Sequence, residues 1–293
     1  MALLPPDVIA RIRKIHIKTA HQVDDLMAGD YVSVFKGRGM EFEQVREYVP
    51  GDDVRNIDWN VTARSQSAFV KEFREERELT VILVVDVSGS QAFGTTEDFK
   101  QDLAARFAAA LAFTAIRNND KVGLILFSDQ IELFVPPKKG RGHVWRVIRE
   151  ILTANPRGRG TDIAGALAFL SRVARRRAVV FLISDFLDEG FERMLRVGRA
   201  RHDLIAVSVT DPRELQLTPM GLVELQDAES GKWVMVDTLD PGFLRAYEKA
   251  AHARMRTRTD QLKACGVDEI ALRTDQDWVK PLVRYFRMRG QRR

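Results

Sequence analysis

The chain has 293 residues, 45% of them hydrophobic and 30% charged, with a net charge of +5 and a pI near 9.4. That balance is ordinary for a soluble globular protein, and the length suits one large domain or two modest ones without disulfide staples. A single cysteine, Cys265, excludes an intramolecular disulfide framework, and with only five scattered histidines a structural zinc site is not expected.

The first residues, "MALLPPDVIARIRKIHIKTAHQ", lack the apolar core of a signal peptide. The most apolar run, Val81 to Val87, is too short to cross a bilayer. The expectation is a soluble, cytoplasmic protein with no membrane span. Val8, Ile9, Ile12 and Ile15 fall at helical spacing and predict a helix from Pro6 to about His21. The next stretch, "GDYVSVFKGRGMEFEQVREYVPGDDVRNIDWN", is rich in glycine, aromatics and β-branched residues and predicts short strands and loops. "AFVKEFREERE" reads as a further, charged strand.

From Leu79 the pattern becomes α/β. "LTVILVVD" is a continuous apolar strand, as expected when both faces are buried. Phe99, Leu103, Phe107 and Leu111 form a helical stripe that ends near "RNND". "KVGLILF" and "IELFVP" are strands separated by the turn "SDQ". Helices are predicted over 143–152 and 163–174, followed by the strand "AVVFLISD", the helix "FERMLRVGRAR" and the strand "HDLIAVSVTD". A β-hairpin insertion covers about 219–238. Asp240 and Pro241 start a helix that Gly266 stops, and "VDEIALR" and "DWVKPLVRYFRM" give a last strand and helix. The domain reading is 1–78, a helix and β-rich segment, then 79–293. The fold class is α/β, a mostly parallel sheet with helices on both faces.

In such sheets ligands bind beyond the carboxyl ends of the strands, at the switch point. Three stretches there carry oxygen donors. In "DVSGS", Asp86, Ser88 and Ser90 are two residues apart, so in an extended loop they point the same way. "GRGTD" supplies Thr161 and Asp162, and "ISD" ends in Asp185. Hydroxyls and carboxylates without thiols or imidazoles suit a hard cation, Mg²⁺ or Mn²⁺, which takes about six oxygens near 2.0–2.1 Å. Taken singly, these stretches read equally as a turn, a helix cap and a strand end. Taken together they point to a metal site.

Asp-x-Ser-x-Ser, a later Thr in Gly-Thr-Asp and a later strand-end Asp resemble the metal-ion-dependent adhesion site of von Willebrand factor type A domains. The resemblance implies Ser88 and Ser90 as direct ligands, Thr161 direct or through water, and Asp86 and Asp185 mostly through water. It also implies an open position that takes a partner's carboxylate. Upstream, "GRGMEFEQVREYVPGDDVRNIDWNVTAR", Gly37 to Arg64, resembles the signature of the bacterial domain-of-unknown-function 58 (DUF58) family. Many of its members carry N-terminal membrane helices, and the resemblance here implies the soluble subtype. Membership implies a protein-interaction module that assists a MoxR-type AAA+ ATPase, or its client, in assembling or remodelling protein complexes. Within the signature, Arg46, Asp52, Asp53, Arg55, Asp58 and Trp59 are expected to form a buried ion-pair and packing network, or else a docking surface.

Basic loops are expected around the ion: Lys138, Lys139 and Arg141 in "PPKKGRG", and Arg157 and Arg159 in "NPRGRGTD". These are partner-binding candidates, with solvated loops as the alternative. A Mg²⁺-dependent phosphatase is the competing class, because "VVDVSGS" superficially resembles the haloacid-dehalogenase loop. Ser88 stands where that chemistry wants an acid, no phosphate loop or Gly-x-Ser-x-Gly occurs, and no catalytic residue is expected. Nucleic-acid binding through the basic C-terminal residues 287–293 is a second alternative, without a recognised module to support it.

Overall fold

In the computed structural model, the described residues are 39–65, 67–76, 78–92, 99–226 and 231–291. The helix expected over Pro6–His21 lies outside them. Two compact units divide the chain, with residues 35–78 forming one and the chain from Leu79 onward belonging to the other.

The smaller unit is an antiparallel pair, β1 (Gly39–Glu47) and β2 (Phe69–Glu76), with a bulge between Phe42 and Gln44. Between them lie a 3₁₀ turn, Val54–Asn56, and one turn of helix, α1 (Trp59–Thr62). Two aspartates explain these short helices. Asp53 accepts from the Arg55 amide at 3.0 Å, and Asp58 accepts from the Asn60 amide at 3.0 Å. Arg46 meets Asp52 through a two-pronged contact of 2.8 and 2.7 Å. The expected buried network is corrected on one point: Arg46, Asp52 and Asp58 are half-buried, while Asp53, Arg55 and Trp59 are exposed. Arg55 is solvated and Trp59 is 69% exposed.

The larger unit is built on a six-stranded sheet in the order β10-β7-β6-β3-β4-β5. Its strands are β3 (Thr80–Asp86), β4 (Lys121–Phe127), β5 (Ile131–Lys138), β6 (Val179–Ser184), β7 (Asp203–Thr210) and β10 (Asp268–Arg273). All neighbours are parallel except β5, which turns back antiparallel on β4. Pro136 and Pro137 are tolerated because β5 is an edge strand. Gly123 on β4 admits them, since a Cβ there would come within 2.9 Å of the Pro137 ring.

The helices are α2 (Lys100–Arg117), α3 (Arg141–Leu152), α4 (Ile163–Val173), α5 (Glu192–Arg201), the short α6 (Pro212–Leu215), α7 (Pro241–Ala264) and α8 (Val279–Gln291). Strand alternation sorts the core into two layers. Ile82, Val84, Val180 and Leu182 pack with Leu167 and Leu170 of α4, Leu195 of α5 and Leu262 of α7. Leu83 and Phe181, paired in register, face the other way, where Phe107 of α2 meets Phe181 and Trp278 edge to face at 6.4 and 6.3 Å. This doubly wound sheet is the architecture that the resemblance to type A domains implies.

Local chemistry sets the ends of α7. Asp240 caps Gly242 at 2.7 Å, and Gly266, at φ 69°, lets the Val267 amide return to the Leu262 carbonyl at 3.0 Å. The expected hairpin is β8 (Leu222–Gln226) with β9 (Trp233–Asp237), a separate two-stranded sheet whose Leu222, Trp233 and Met235 are exposed. No helix among the described residues is long and apolar enough to cross a membrane.

Candidate metal centre

The sheet order decides where a site can form. From β3 the chain moves to β4 on one side and later to β6 on the other, so a crevice opens beyond the carboxyl ends of β3 and β6. Asp86 is the last residue of β3, and Asp185 directly follows β6. Both are buried.

Asp86 is held at both oxygens. Its Oδ1 accepts from the Ser88 amide at 2.9 Å, and its Oδ2 accepts from the Ser184 hydroxyl at 2.7 Å. The first bond closes the turn that carries the serines into a 3₁₀ segment, Gly89–Ala92. There the Ser88 and Ser90 hydroxyl oxygens lie 3.1 Å apart, both buried. Burial pushes the Asp86 carboxyl up to about 7, and the neighbouring Asp185 charge adds to this against the hydrogen bonds from Ser184 and Ser88.

Asp185 sits at a bend whose next residue, Phe186, has φ 57°. A non-glycine residue in the left-handed region signals a backbone held by its surroundings. The Leu187 amide donates to Asp185 Oδ1 at 3.3 Å, and Arg258 Nη1 donates to the Asp185 carbonyl at 3.2 Å.

The Thr161 loop is pinned over the same edge. The Gly89 amide donates to the Arg159 carbonyl at 3.0 Å, and the Asp162 amide donates to the Ser128 carbonyl at 2.9 Å. Thr161 lies between these two anchors. Glu132 shapes the loop by accepting from the Arg157 and Gly158 amides at 3.0 and 2.9 Å and from the Ser128 hydroxyl at 2.6 Å. Burial acts against the Glu132 charge, yet the Gly158, Ser128 and Arg157 donors hold its carboxyl below the usual range. At Gly158 the approach is close: a Cβ would lie 1.8 Å from Asp129 Oδ1 and 2.5 Å from Ser128 Oγ, so a side chain there displaces them. Asp162 acts as the cap of α4, accepting from Gly165 at 2.7 Å, while Asp188 accepts from the Ile163 amide at 2.8 Å.

Asp86, Ser88, Ser90 and Asp185 therefore gather at one edge, with the Thr161 loop bonded to the serine turn. Two basic stretches separate. Arg157 and Arg159 lie in the loop that reaches this edge. Lys138 pairs with Val122 at the amino end of β4. Five residues at about 3.3 Å per step put it roughly 17 Å along the strand from Phe127. The expectation that Lys138, Lys139 and Arg141 surround the ion is thus corrected, because the antiparallel return of β5 carries "PPKKGRG" to the opposite edge.

Sequence reasoning missed Lys100. The helical stripe placed Phe99 inward, but Phe99 is 48% exposed and Lys100 is wholly buried. Its ammonium lies 2.9 Å from Asp185 Oδ2 and 2.5 Å from Glu214 Oε1. Burial alone would lower the Lys100 pKa, but Asp185 and Glu214 outweigh it and hold the ammonium charged. Glu214 is fixed in turn by the capping box of α6, where its Oε2 accepts from the Asp211 amide at 3.0 Å. The signal was available, since Lys100, Leu103, Phe107 and Leu111 also share a helix face.

The donor set suits a small divalent cation. Two buried carboxylates and two converging hydroxyls offer oxygen only, and among the described residues no three or more His, Cys, Asp or Glu side chains gather into a cage of their own. Lys100 already stands in as one cation at Asp185. Asp86, Asp185 and Glu214 against that single ammonium leave two negative charges when all are ionised. Gln91, next after Ser90, is buried with neither amide atom partnered in the protein. Beside Asp185 a cavity of about 610 Å³ opens, lined by Phe186, Glu214, Tyr247, Met255 and Arg258 among others.

Comparison with known proteins identifies the family. The sequence model of the family described as "Protein of unknown function DUF58" matches residues 44–257. The uncharacterized protein Rv1480 of Mycobacterium tuberculosis is 37% identical over 287 residues, covering 97% of this chain and 90% of that protein. The uncharacterized protein YeaD of Bacillus subtilis is 23% identical over 167 residues, 57% of this chain and 40% of that protein. Among solved structures, the conserved hypothetical protein BatB from Bacteroides thetaiotaomicron aligns at a TM-score of 0.47 with 16% identity, covering 73% of this chain and 99% of that one.

Proposed function

This chain belongs to the DUF58 family, whose description assigns no activity, and on that premise we propose that it is a divalent-metal-dependent protein-interaction module. The observation that carries the reading is the pairing of Asp86 and Asp185, both buried at the sheet's switch point beside the Ser88 and Ser90 hydroxyls. Ser88 and Ser90, with Thr161 from the bonded loop, would hold Mg²⁺ or Mn²⁺ directly, and Asp86 and Asp185 would hold it through water. Neutral hydroxyls leave such an ion most of its positive charge, so it supplies Lewis acidity for one further carboxylate. That carboxylate comes from a protein partner. The cavity beside Asp185 receives the residues flanking the partner's acid, and Arg157 and Arg159 steer an acidic segment toward the edge.

The partner of this reading is a MoxR-type AAA+ ATPase or its client, with the chain acting as adaptor in assembling or remodelling protein complexes. Binding rather than catalysis is the role proposed. The described histidines serve elsewhere: His143 contacts the Val122 carbonyl, His252 faces Glu248, and His202 follows α5 at the amino end of β7. The Ser88 hydroxyl is engaged with that of Ser90. The basic end of α8 is also partly committed, since Arg289 pairs with Asp203.

The test is affinity capture from a lysate of the source cells in Mg²⁺ and in EDTA, with wild type and Asp86→Ala/Ser88→Ala. The expected result is Mg²⁺-dependent recovery of the ATPase or its client by wild type alone. Recovery indifferent to both EDTA and the double substitution would sink the reading.

A further inference from the structure

Lys100 is not needed to fill space. An aliphatic side chain of similar length would occupy the start of α2 without a buried charge to desolvate. Yet the ammonium is present and faces a candidate ligand directly, at 2.9 Å from Asp185, with Glu214 on its other side at 2.5 Å. Glu214 is not a passing neighbour, because the α6 capping box holds it and the Thr274 hydroxyl fixes the cap, Asp211, at 2.8 Å. An independent piece of the fold therefore keeps a second carboxylate aimed at Lys100, 114 residues away in sequence.

Resting on the metal-centre reading, we propose that Lys100 is a built-in counter-cation and positioning residue that, balanced by Glu214, sets the strength of divalent-cation binding. When no ion is bound the ammonium holds Asp185 Oδ2, so the two carboxylates of the centre stay in place despite their mutual repulsion. When an ion binds, Asp185 Oδ1 remains on the other side of the carboxylate for a water of its shell. The ammonium then opposes the ion, and Glu214 offsets part of that opposition.

The proposal makes affinity follow net charge. Lys100→Met adds one negative charge to the centre, Glu214→Gln removes one, and the two together restore the wild-type sum. In a partly buried site a unit charge a few ångströms from a divalent ion changes affinity by at least about tenfold. The experiment is calorimetric titration of the whole chain at pH 8 with MgCl₂ and, separately, MnCl₂. Lys100→Met is expected to bind at least about tenfold more tightly than wild type and Glu214→Gln at least about tenfold more weakly, with the double variant within about threefold of wild type. A residue that merely supports the fold cannot tighten binding when removed, so opposite signs separate the two roles. Weaker or unchanged binding by Lys100→Met overturns the proposal. If that variant does not fold, the double variant decides, because failure to recover the affinity lost in Glu214→Gln also overturns it. A wild type that takes up neither metal removes the metal-centre reading and this inference together. A wild type that binds without the charge order removes the inference alone.

Discussion

Two cations in this chain each face two carboxylates, and they do different work. Arg46 meets Asp52 at 2.7 Å and Glu72 at 3.6 Å in the small unit, with side chains 40%, 20% and 40% exposed. Lys100 meets Asp185 and Glu214 in the sheet unit, with its own side chain fully buried and Asp185 only 3% exposed. The Arg46 fork has good two-pronged geometry, yet water competes for every charge in it, and such pairs add little to stability. Lys100 and Asp185 have lost their water while Glu214, 26% exposed, keeps part of its own, so the ammonium and Asp185 depend on each other and removing one leaves the other uncompensated. Burial, more than contact distance, separates a surface ornament of the fold from a group able to tune a site.

The largest expected effect breaks the buried cluster. Lys100→Met in EDTA should lose about 3–5 kcal/mol of unfolding free energy in a urea titration, because Asp185 and Glu214 are left facing each other. A loss below about 1 kcal/mol would mean that the cluster is better hydrated than its burial implies.

The next prediction concerns pH. The Asp86 carboxyl is raised to about 7 in the folded chain from 3.8. The folded state therefore keeps a proton that the unfolded chain releases, and metal-free stability falls as pH rises between these values, then levels off. Asp86→Asn removes that slope. Its stability relative to wild type should improve by a few kcal/mol on going from pH 4 to pH 8 in EDTA. Metal uptake by wild type at pH 6 should release about one proton, read from calorimetry in two buffers of different ionisation enthalpy. Equal slopes for the two proteins would show that Asp86 is already ionised when folded.

A smaller effect tests the loop over the centre. Gly158→Ala forces a Cβ against the Asp129 and Ser128 side chains, so those side chains or the Arg157–Thr161 segment must shift. Metal affinity should fall several-fold while the melting temperature moves by only a few degrees, about 1 kcal/mol or less in a domain this size. A large loss of melting temperature with unchanged affinity would place the strain in the core instead. The smallest effect belongs to the exposed fork. Arg46→Ala should change the melting temperature little, and less still at high salt. The Asp52 carboxyl, held down to about 2 chiefly by Arg46, contributes fully above its ordinary 3.8 and loses that contribution progressively as pH falls from there through about 2. A strong, salt-insensitive destabilisation by Arg46→Ala would erase the contrast between the two clusters.

Much of this was legible along the chain. The run Val81–Asp86 reads as a strand buried on both faces, and the turn and cap residues place α7 correctly because capping is a contact between residues two or three apart. The Asp86, Ser88 and Ser90 set was legible for the same reason. Lys100 was not, because a helical stripe drawn through apolar residues gives the inward place to Phe99, and no local rule weighs a lysine against partners 85 and 114 residues away. The position of "PPKKGRG" was not legible either, since it depends on whether β5 continues outward or turns back on β4.

What the sequence determined by itself was the inventory: apolar runs of strand length, helices with their caps, and oxygen donors spaced to share a turn. These are short-range matters of periodicity, backbone preference and local hydrogen bonds. What only the tertiary structure decided was adjacency. It set β6 beside β3, so that Ser184 reaches Asp86 across 98 residues, and it set the burial that gives Asp86 and Lys100 their unusual electrostatics. Strand order and dehydration are properties of the packed sheet, because a charge's energy depends on everything around it and not on its neighbours in the chain.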